Sequence, residues 1–308
     1  MAERLDGKAL AKAMQGAMAE RVERYSSRPG LLLIRVGEDS ASVVYVRNKE
    51  KSSARVGIES RVLVLPVDTE ESVVLGHIEE ANRDDSVHGI LVQLPLPPQI
   101  RADRVAEAVS PEKDVDALHP MNQGKIAVGR PNLVSCTPLG ILALLRRYEI
   151  STQGKKAVVL GRSAIVGRPM SMLLGLKAEW ADATVSVCHS RSRDTEALLK
   201  DADIVVAAMG RPEILTGDQI SPGTVVIDVG IHRRENPEGG KAKLVGDVHA
   251  PSVEPIASHL SPVPGGVGPL TVTMLLANTL FAYERSIGKD PVPVSFALDF
   301  ASTAALGG

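Results

Sequence analysis

The segment KKAVVLGRSAIVGRPMSMLL constrains the fold more than any other stretch of the 308-residue chain. An apolar, β-rich run, Lys156–Leu160, leads straight into a glycine-containing turn and then into a helical pattern. This strand, turn and helix succession opens a βαβ unit, in which glycine lets backbone amides approach a pyrophosphate at the helix N-terminus. Gly161, Ser163 and Gly167 occupy the turn. Ser163 stands where the strict G-x-G-x-x-G pattern has its middle glycine, so taken alone the turn is equally a tight connection without a ligand. The strand before it, the helix after it and a further strand beyond favour a dinucleotide site.

The same grammar runs through the chain. β-rich runs at Gly30–Val36, 61–66 and 89–94 alternate with helical patterns, and a second series follows at Lys156–Leu160, Thr184–Cys188, 204–208 and 225–229. Near-continuous Val, Ile and Leu mark the second series as central strands of a parallel sheet, buried on both faces. At about 150 residues per domain the length fits two α/β domains. The joint falls in or beside 137–148, a helical pattern introduced by Thr137 with Pro138 at its first position. The expected division is 1–138 for the first domain, joined by a helix at about 270–288, and 139–269 for a Rossmann dinucleotide-binding domain. Residues 289–308, with two prolines and a Gly-Gly end, read as a loose tail.

The strand after the turn bears on the cofactor. An NAD enzyme places an acidic side chain near its tip for the ribose hydroxyls, whereas a 2′-phosphate calls for positive groups. Here Thr184–Cys188 is followed by His189, Ser190, Arg191, Ser192 and Arg193, with Arg162 in the first turn. Hydroxyl and guanidinium groups favour NADP over NAD. The same arginines read equally as solvated surface groups. With a formal net charge of −2 and only one Trp, four Tyr and three Phe, neither a basic field nor base-stacking aromatics point to nucleic acid. Cys136 and Cys188 lack metal-ligand spacing and read as buried free thiols, so no metal is expected. The first 25 residues show no signal-peptide core, and no apolar run reaches the roughly 18 to 20 residues of a membrane span, so a cytoplasmic protein is expected.

Four further segments carry chemistry. In SASVVYVRNKEK, Tyr45 and Lys49 share one face of a helix introduced by a serine cap; a Lys beside a Tyr and removed from bulk water exchanges protons near neutrality, although most such pairs decorate a surface. Gln93 ends the strand of ILVQLPLPP, on the ligand side of an open α/β sheet, or is a satisfied strand-end amide. In PEKDVDALHP, Asp114 and Asp116 offer carboxylates suited to an amino-pyrimidine edge, or serve as turn formers. SPVPGGVGPLT forms a stiff loop, ahead of a helix starting near Thr271, that brings bare backbone against a flat ring.

Together, YVRNKEK, GILVQLPLP, PEKDVDALHP, GRSAIVGRPMSMLL, VVIDVGI and SPVPGGVGPLTVTML resemble the successive signatures of the bifunctional methylenetetrahydrofolate dehydrogenase/cyclohydrolase family, in order and spacing from about residue 37 to about 283. The resemblance implies a catalytic folate-binding domain and a Rossmann NADP domain flanking a cleft, usually in a homodimer, acting on tetrahydrofolate derivatives in the one-carbon metabolism that feeds purine synthesis. It implies Lys49 as the essential cyclohydrolase residue, with Gln93 beside it, Tyr45 stacked on the folate and Asp116 binding the pterin. It also implies Pro264, Gly265, Gly266 and Gly268 closing over the folate. Arg162, Ser163 and Ser190 match cofactor phosphate contacts, with Gly161, Gly167, Arg191 and Ile231 completing that site. A dehydrogenase-only relative, an unrelated NADP-dependent Rossmann oxidoreductase and a nucleotide-sensing scaffold are the rival readings. The joint presence of Lys49, Gln93 and Asp116 argues against the first, PVPGGVGP against the second and the retained lysine against the third.

Overall fold

The computed structural model describes residues 1–235 and 242–303. In chain order the first half holds β1 (Glu3–Arg4), α1 (Gly7–Val22), β2 (Gly30–Val36), α2 (Ser40–Val56), β3 (Glu59–Leu65), α3 (Glu71–Arg83), β4 (Gly89–Val92), α4 (Ala102–Ala108), α5 (Pro120–Ala127) and α6 (Cys136–Arg147). The second half holds β5 (Lys156–Leu160), α7 (Gly167–Leu174), β6 (Thr184–Cys188), α8 (Thr195–Lys200), β7 (Ile204–Ala207), β8 (Val225–Asp228), β9 (His232–Arg234), β10 (Lys243–Val245), α9 (Ala250–Val253), β11 (His259–Leu260), α10 (Val267–Ser286) and α11 (Ser295–Thr303). The chain divides into two compact units, Met1–Ala11 with Thr137–Thr271, and Lys12–Cys136 with the chain from Val272 on.

The second of these is built on a parallel sheet ordered β3, β2, β4, with Ile34 in register with Leu63 on one side and Val92 on the other. The central strand, GLLLIRV, is buried at six of its seven positions, as expected for a strand covered on both faces. α3 sets Val74, Ile78 and Ala81 on one face at helical spacing, where Val74 and Ile78 join Ile34, Ile90 and Val92 in the core. Burying each of these side chains contributes about 1.5–3 kcal/mol.

The other unit carries a parallel sheet ordered β1, β11, β8, β7, β5, β6. From β5 the chain moves outward to β6 and then crosses back to β7 on the other side of β5, so the connections reverse direction there. Ligands of open α/β sheets bind at such a reversal, beyond the carboxyl ends of the strands. β7 and β8 are buried throughout and β5 at all but its first residue.

Several expectations are corrected. β6 is not a central strand but the edge of its sheet, largely uncovered up to Cys188, and its TVSVC sequence carries hydroxyl residues, Thr184 and Ser186, that the central strands lack. The first residues join the second sheet, not the first domain: Glu3 and Arg4 pair with His259 and Leu260 of β11. α2 is capped by Asp39, which accepts from the Ser42 amide at 2.8 Å, rather than by a serine. α10 begins at Val267, four residues ahead of Thr271, placing Pro269 in its first turn, where a missing amide costs nothing. The tail is not loose through 303. α11 buries Phe296, Leu298 and Phe300; Phe296 packs edge-on to Phe281 at 5.7 Å, and the Arg21 guanidinium lies 4.8 Å from its ring. Prolines and glycines masked the apolar spacing of VSFALDFA. The last part of the expected tail, 304–308, lies outside the described residues.

Candidate active site

The turn after β5 is a place only glycine can fill. Gly161 sits at φ 116°, and a Cβ there would stand 2.1 Å from the Ala208 carbonyl oxygen. A Cβ on Gly167 would stand 2.3 Å from the Gly161 oxygen, so α7 packs against the turn with no room for a side chain. Ser163 replaces the middle glycine and acts as a local cap, its Oγ accepting from the Val166 amide at 3.2 Å and, more weakly, the Gly167 amide at 3.4 Å. At the tip of β6 the His189 amide donates to Ser192 Oγ and the Arg191 amide to His189 Nδ1, folding the loop so that Ser190 and Arg191 are exposed.

Beyond these strand ends lies a cavity of about 390 Å³. Leu160, Leu199 and Leu215 contribute apolar wall; Arg162, Ser190 and Arg211 contribute cationic and hydroxyl groups; no carboxylate among the described residues lines it. An apolar slot with an electropositive rim fits the adenosine and phosphate end of NADP. Arg191 and Ile231 do not line this cavity. Ile231 is exposed elsewhere in the unit, with its Cδ1 3.2 Å from where a Gly268 Cβ would be. Gly265 takes φ 108°, its carbonyl accepting from the Lys8 amide at 2.8 Å, and a Cβ on Gly266 would stand 2.6 Å from the Pro262 oxygen. The loop is therefore tightly folded backbone, as its composition implies.

In the three-stranded unit α2 presents Tyr45, exposed at 44%, and one turn later the half-buried Lys49. Lys49 Nζ donates to Gln93 Oε1 at 2.9 Å, and the Gln93 amide nitrogen donates to the Leu94 carbonyl at 2.6 Å, which fixes the oxygen end of the amide toward the lysine. Burial lowers the Lys49 pKa below the usual lysine value, and the negative charge of Asp116 offsets part of that. Such an amine changes protonation more readily near neutrality than an exposed one does.

The two acids of DVD separate. Asp114 is buried and accepts from the Leu118 and His119 amides and the Asn122 side chain, so it builds the loop. Asp116 is half-exposed and interacts electrostatically with both Lys49 and Cys136. Cys136 is a buried thiol donating to the Val115 carbonyl at 3.3 Å, and burial raises its pKa well above the ordinary thiol value, so it stays neutral.

Comparison with known proteins agrees with both halves. The tetrahydrofolate dehydrogenase/cyclohydrolase catalytic domain matches residues 5–116, and the NAD(P)-binding domain of the same family matches residues 135–287. The bifunctional protein FolD of Synechococcus sp. (strain WH7803) is 51% identical over 289 residues, covering 92% of this chain and 96% of the relative. The chain belongs to the tetrahydrofolate dehydrogenase/cyclohydrolase family. Solved structures of the family superpose closely. The bifunctional FolD enzyme of Campylobacter jejuni is 41% identical with a TM-score of 0.86, covering 92% of this chain and all of the other. The FolD of Trypanosoma brucei, solved with NADP cofactor and an inhibitor, is 38% identical with a TM-score of 0.87 over 94% of this chain and 99% of the other.

Within this family member, sequence reasoning passed over three groups. Arg211 was hidden in an ordinary-looking GRPE turn. Asn278 donates to the carbonyls of Val115 and Val134, both at 2.8 Å, and so holds the turn that carries Asp116; an Asn inside an apolar helix was the available signal. Asp228 and Asp247 are buried side by side. Asp228 accepts from the Gly230, Asp247 and Val248 amides, and Asp247 accepts from those of Met209, Gly210 and Arg211.

Proposed function

We infer that this chain is a methylenetetrahydrofolate dehydrogenase and methenyltetrahydrofolate cyclohydrolase that uses NADP. The observation that carries the reading is the Lys49, Gln93 and Asp116 cluster, in a chain of this family whose cofactor-side cavity is ringed by Arg162, Ser190 and Arg211. Arg162, Ser190 and the Gly161 turn would hold NADP, which would supply the hydride acceptor for oxidation of the folate's methylene carbon. That step asks the protein for orientation rather than for an acid or base, and the Gly161 and Gly167 turn with its cationic rim supplies holding groups.

Hydrolysis of the methenyl product requires proton transfers. Lys49 Nζ is the group suited to them: burial loosens its proton, and Gln93 Oε1 fixes its direction. The resemblance supports Tyr45 stacking on the folate ring system, Asp116 accepting from its amino-pyrimidine edge, and the backbone of Pro264, Gly265, Gly266 and Gly268 meeting the ring. It likewise supports Gly161, Gly167, Ser163, Arg191 and Ile231 as cofactor contacts, a homodimeric state, a cytoplasmic location and use of the formyl product in purine synthesis. Lys49→Met is expected to lower hydrolysis of methenyltetrahydrofolate by at least about a hundredfold while NADP reduction with methylenetetrahydrofolate and the circular dichroism spectrum persist. Unaltered cyclohydrolase turnover in this variant overturns the assignment.

A further inference from the structure

The cofactor-side cavity is lined by a cation that no carboxylate among the described residues neutralises. Arg211 lines the cavity with Arg162 and Ser190, and its exposed guanidinium has no hydrogen-bond or ion-pair partner among the described residues. Glu213, the nearest carboxylate along the chain, is engaged by Arg234. The Arg211 backbone, in contrast, is pinned. The fully buried Asp247 carboxylate accepts from three consecutive amides, including Gly210 at 2.9 Å and Arg211 at 3.1 Å, and its second partner type, His232 Nε2, stands at 2.7 Å. Two residues on, the Glu213 amide donates to the Gly246 carbonyl at 2.9 Å, and the Leu215 amide donates to the Asp247 carbonyl at 3.0 Å. A rigid backbone thus presents a long, uncommitted cation at the carboxyl end of β7, beside the turn after β5 and the tip of β6.

We propose that Arg211 is a second guanidinium ligand of the NADP 2′-phosphate, acting with Arg162 and Ser190, and thereby sets the preference for NADP over NAD. This rests on the NADP reading given above. A 2′-phosphate carries close to two negative charges and three acceptor oxygens, which one guanidinium and one hydroxyl leave partly unmatched. NAD presents a neutral hydroxyl at that position and gains nothing from a second cation. The rival role for an arginine here is stacking on the adenine, which both cofactors share.

Calorimetric titration with adenosine 2′,5′-bisphosphate and with AMP separates the roles without any turnover. For the Arg211→Gln protein the ratio of the two affinities is expected to fall about tenfold, the scale of one charge-assisted hydrogen bond, with the loss confined to the bisphosphate. Equal weakening of both ligands, or no weakening of either, overturns the proposal. Equal affinity of the unsubstituted protein for the two ligands would remove the NADP reading itself and the proposal with it. Arg211 is exposed, and an unchanged melting temperature of the variant confirms that folding is intact.

Discussion

Asp228 shows how a single side chain can be both structural and poised to titrate. Burial raises its carboxyl to about 7, assisted by the neighbouring charge of Asp247, against the pull of three amide donors. The folded protein therefore keeps this proton to a higher pH than the unfolded chain, whose Asp titrates at about 3.9. Between about pH 4 and 7 the native state binds the extra proton, so the contribution of this group to stability declines as pH rises through that window and levels off above it. In urea titrations at pH 5 and pH 8 the Asp228→Asn protein is expected to show a smaller pH dependence of the midpoint than the unsubstituted one; an identical dependence would exclude Asp228 as its source. Little of this was legible beforehand. Gly161 could be read because strand, turn and helix are contiguous, whereas Lys49 stood out through the family resemblance, since a Tyr and a Lys one turn apart suit an ordinary helix surface equally well. Asp228 and Asp247 lie in different segments and meet only through tertiary pairing, where Gly230 and Gly246 leave no space for a Cβ.

Among the elements, the strands were readable wherever both faces are buried, since continuous Val, Ile and Leu have no other comfortable setting. β2, β5, β7 and β8 follow that rule. β6 mixes Thr184 and Ser186 with Val185 and Val187, and up to Cys188 it is exposed or only partly covered, as its edge position leaves it. Two-residue β1 and β11 carry too little pattern to be read at all. α11 was obscured by its flanking prolines, yet its aromatic face is firmly seated. Phe296→Ala is expected to destabilise the protein by about 3 kcal/mol, because it removes a buried ring in contact with Phe281, Phe300 and Arg21. Chemical denaturation checks this, and a change under 1 kcal/mol would show the helix to be dispensable. Arg21 matters here for a second reason: it forms a bidentate pair with Glu284, whose side chain is only 1% exposed while that of Arg21 is 41% exposed, so the ring contacts of α11 help hold the guanidinium that neutralises a buried carboxylate.

At the scale of the whole molecule, a cofactor that binds only the folded chain must stabilise it. At a hundred times its dissociation constant, NADP is expected to add about 2.7 kcal/mol, a rise of roughly 5–10 °C in melting temperature for a unit of this size. Differential scanning calorimetry with and without NADP tests this, and an unmoved transition at millimolar NADP would contradict the cofactor assignment. The two-domain organisation was visible as two series of strands, but their borders were not, because the chain passes between the units inside α1, α6 and α10, where helical periodicity continues unbroken. The pairing of β1 with β11 carries this interleaving into the time domain. A ribosome adding about 5–20 residues per second exposes Glu3 at least roughly 10 s before His259 exists. The nascent chain thus holds an unpartnered first strand through most of translation, and the sheet it belongs to can be finished only after the other unit's strands have all been made.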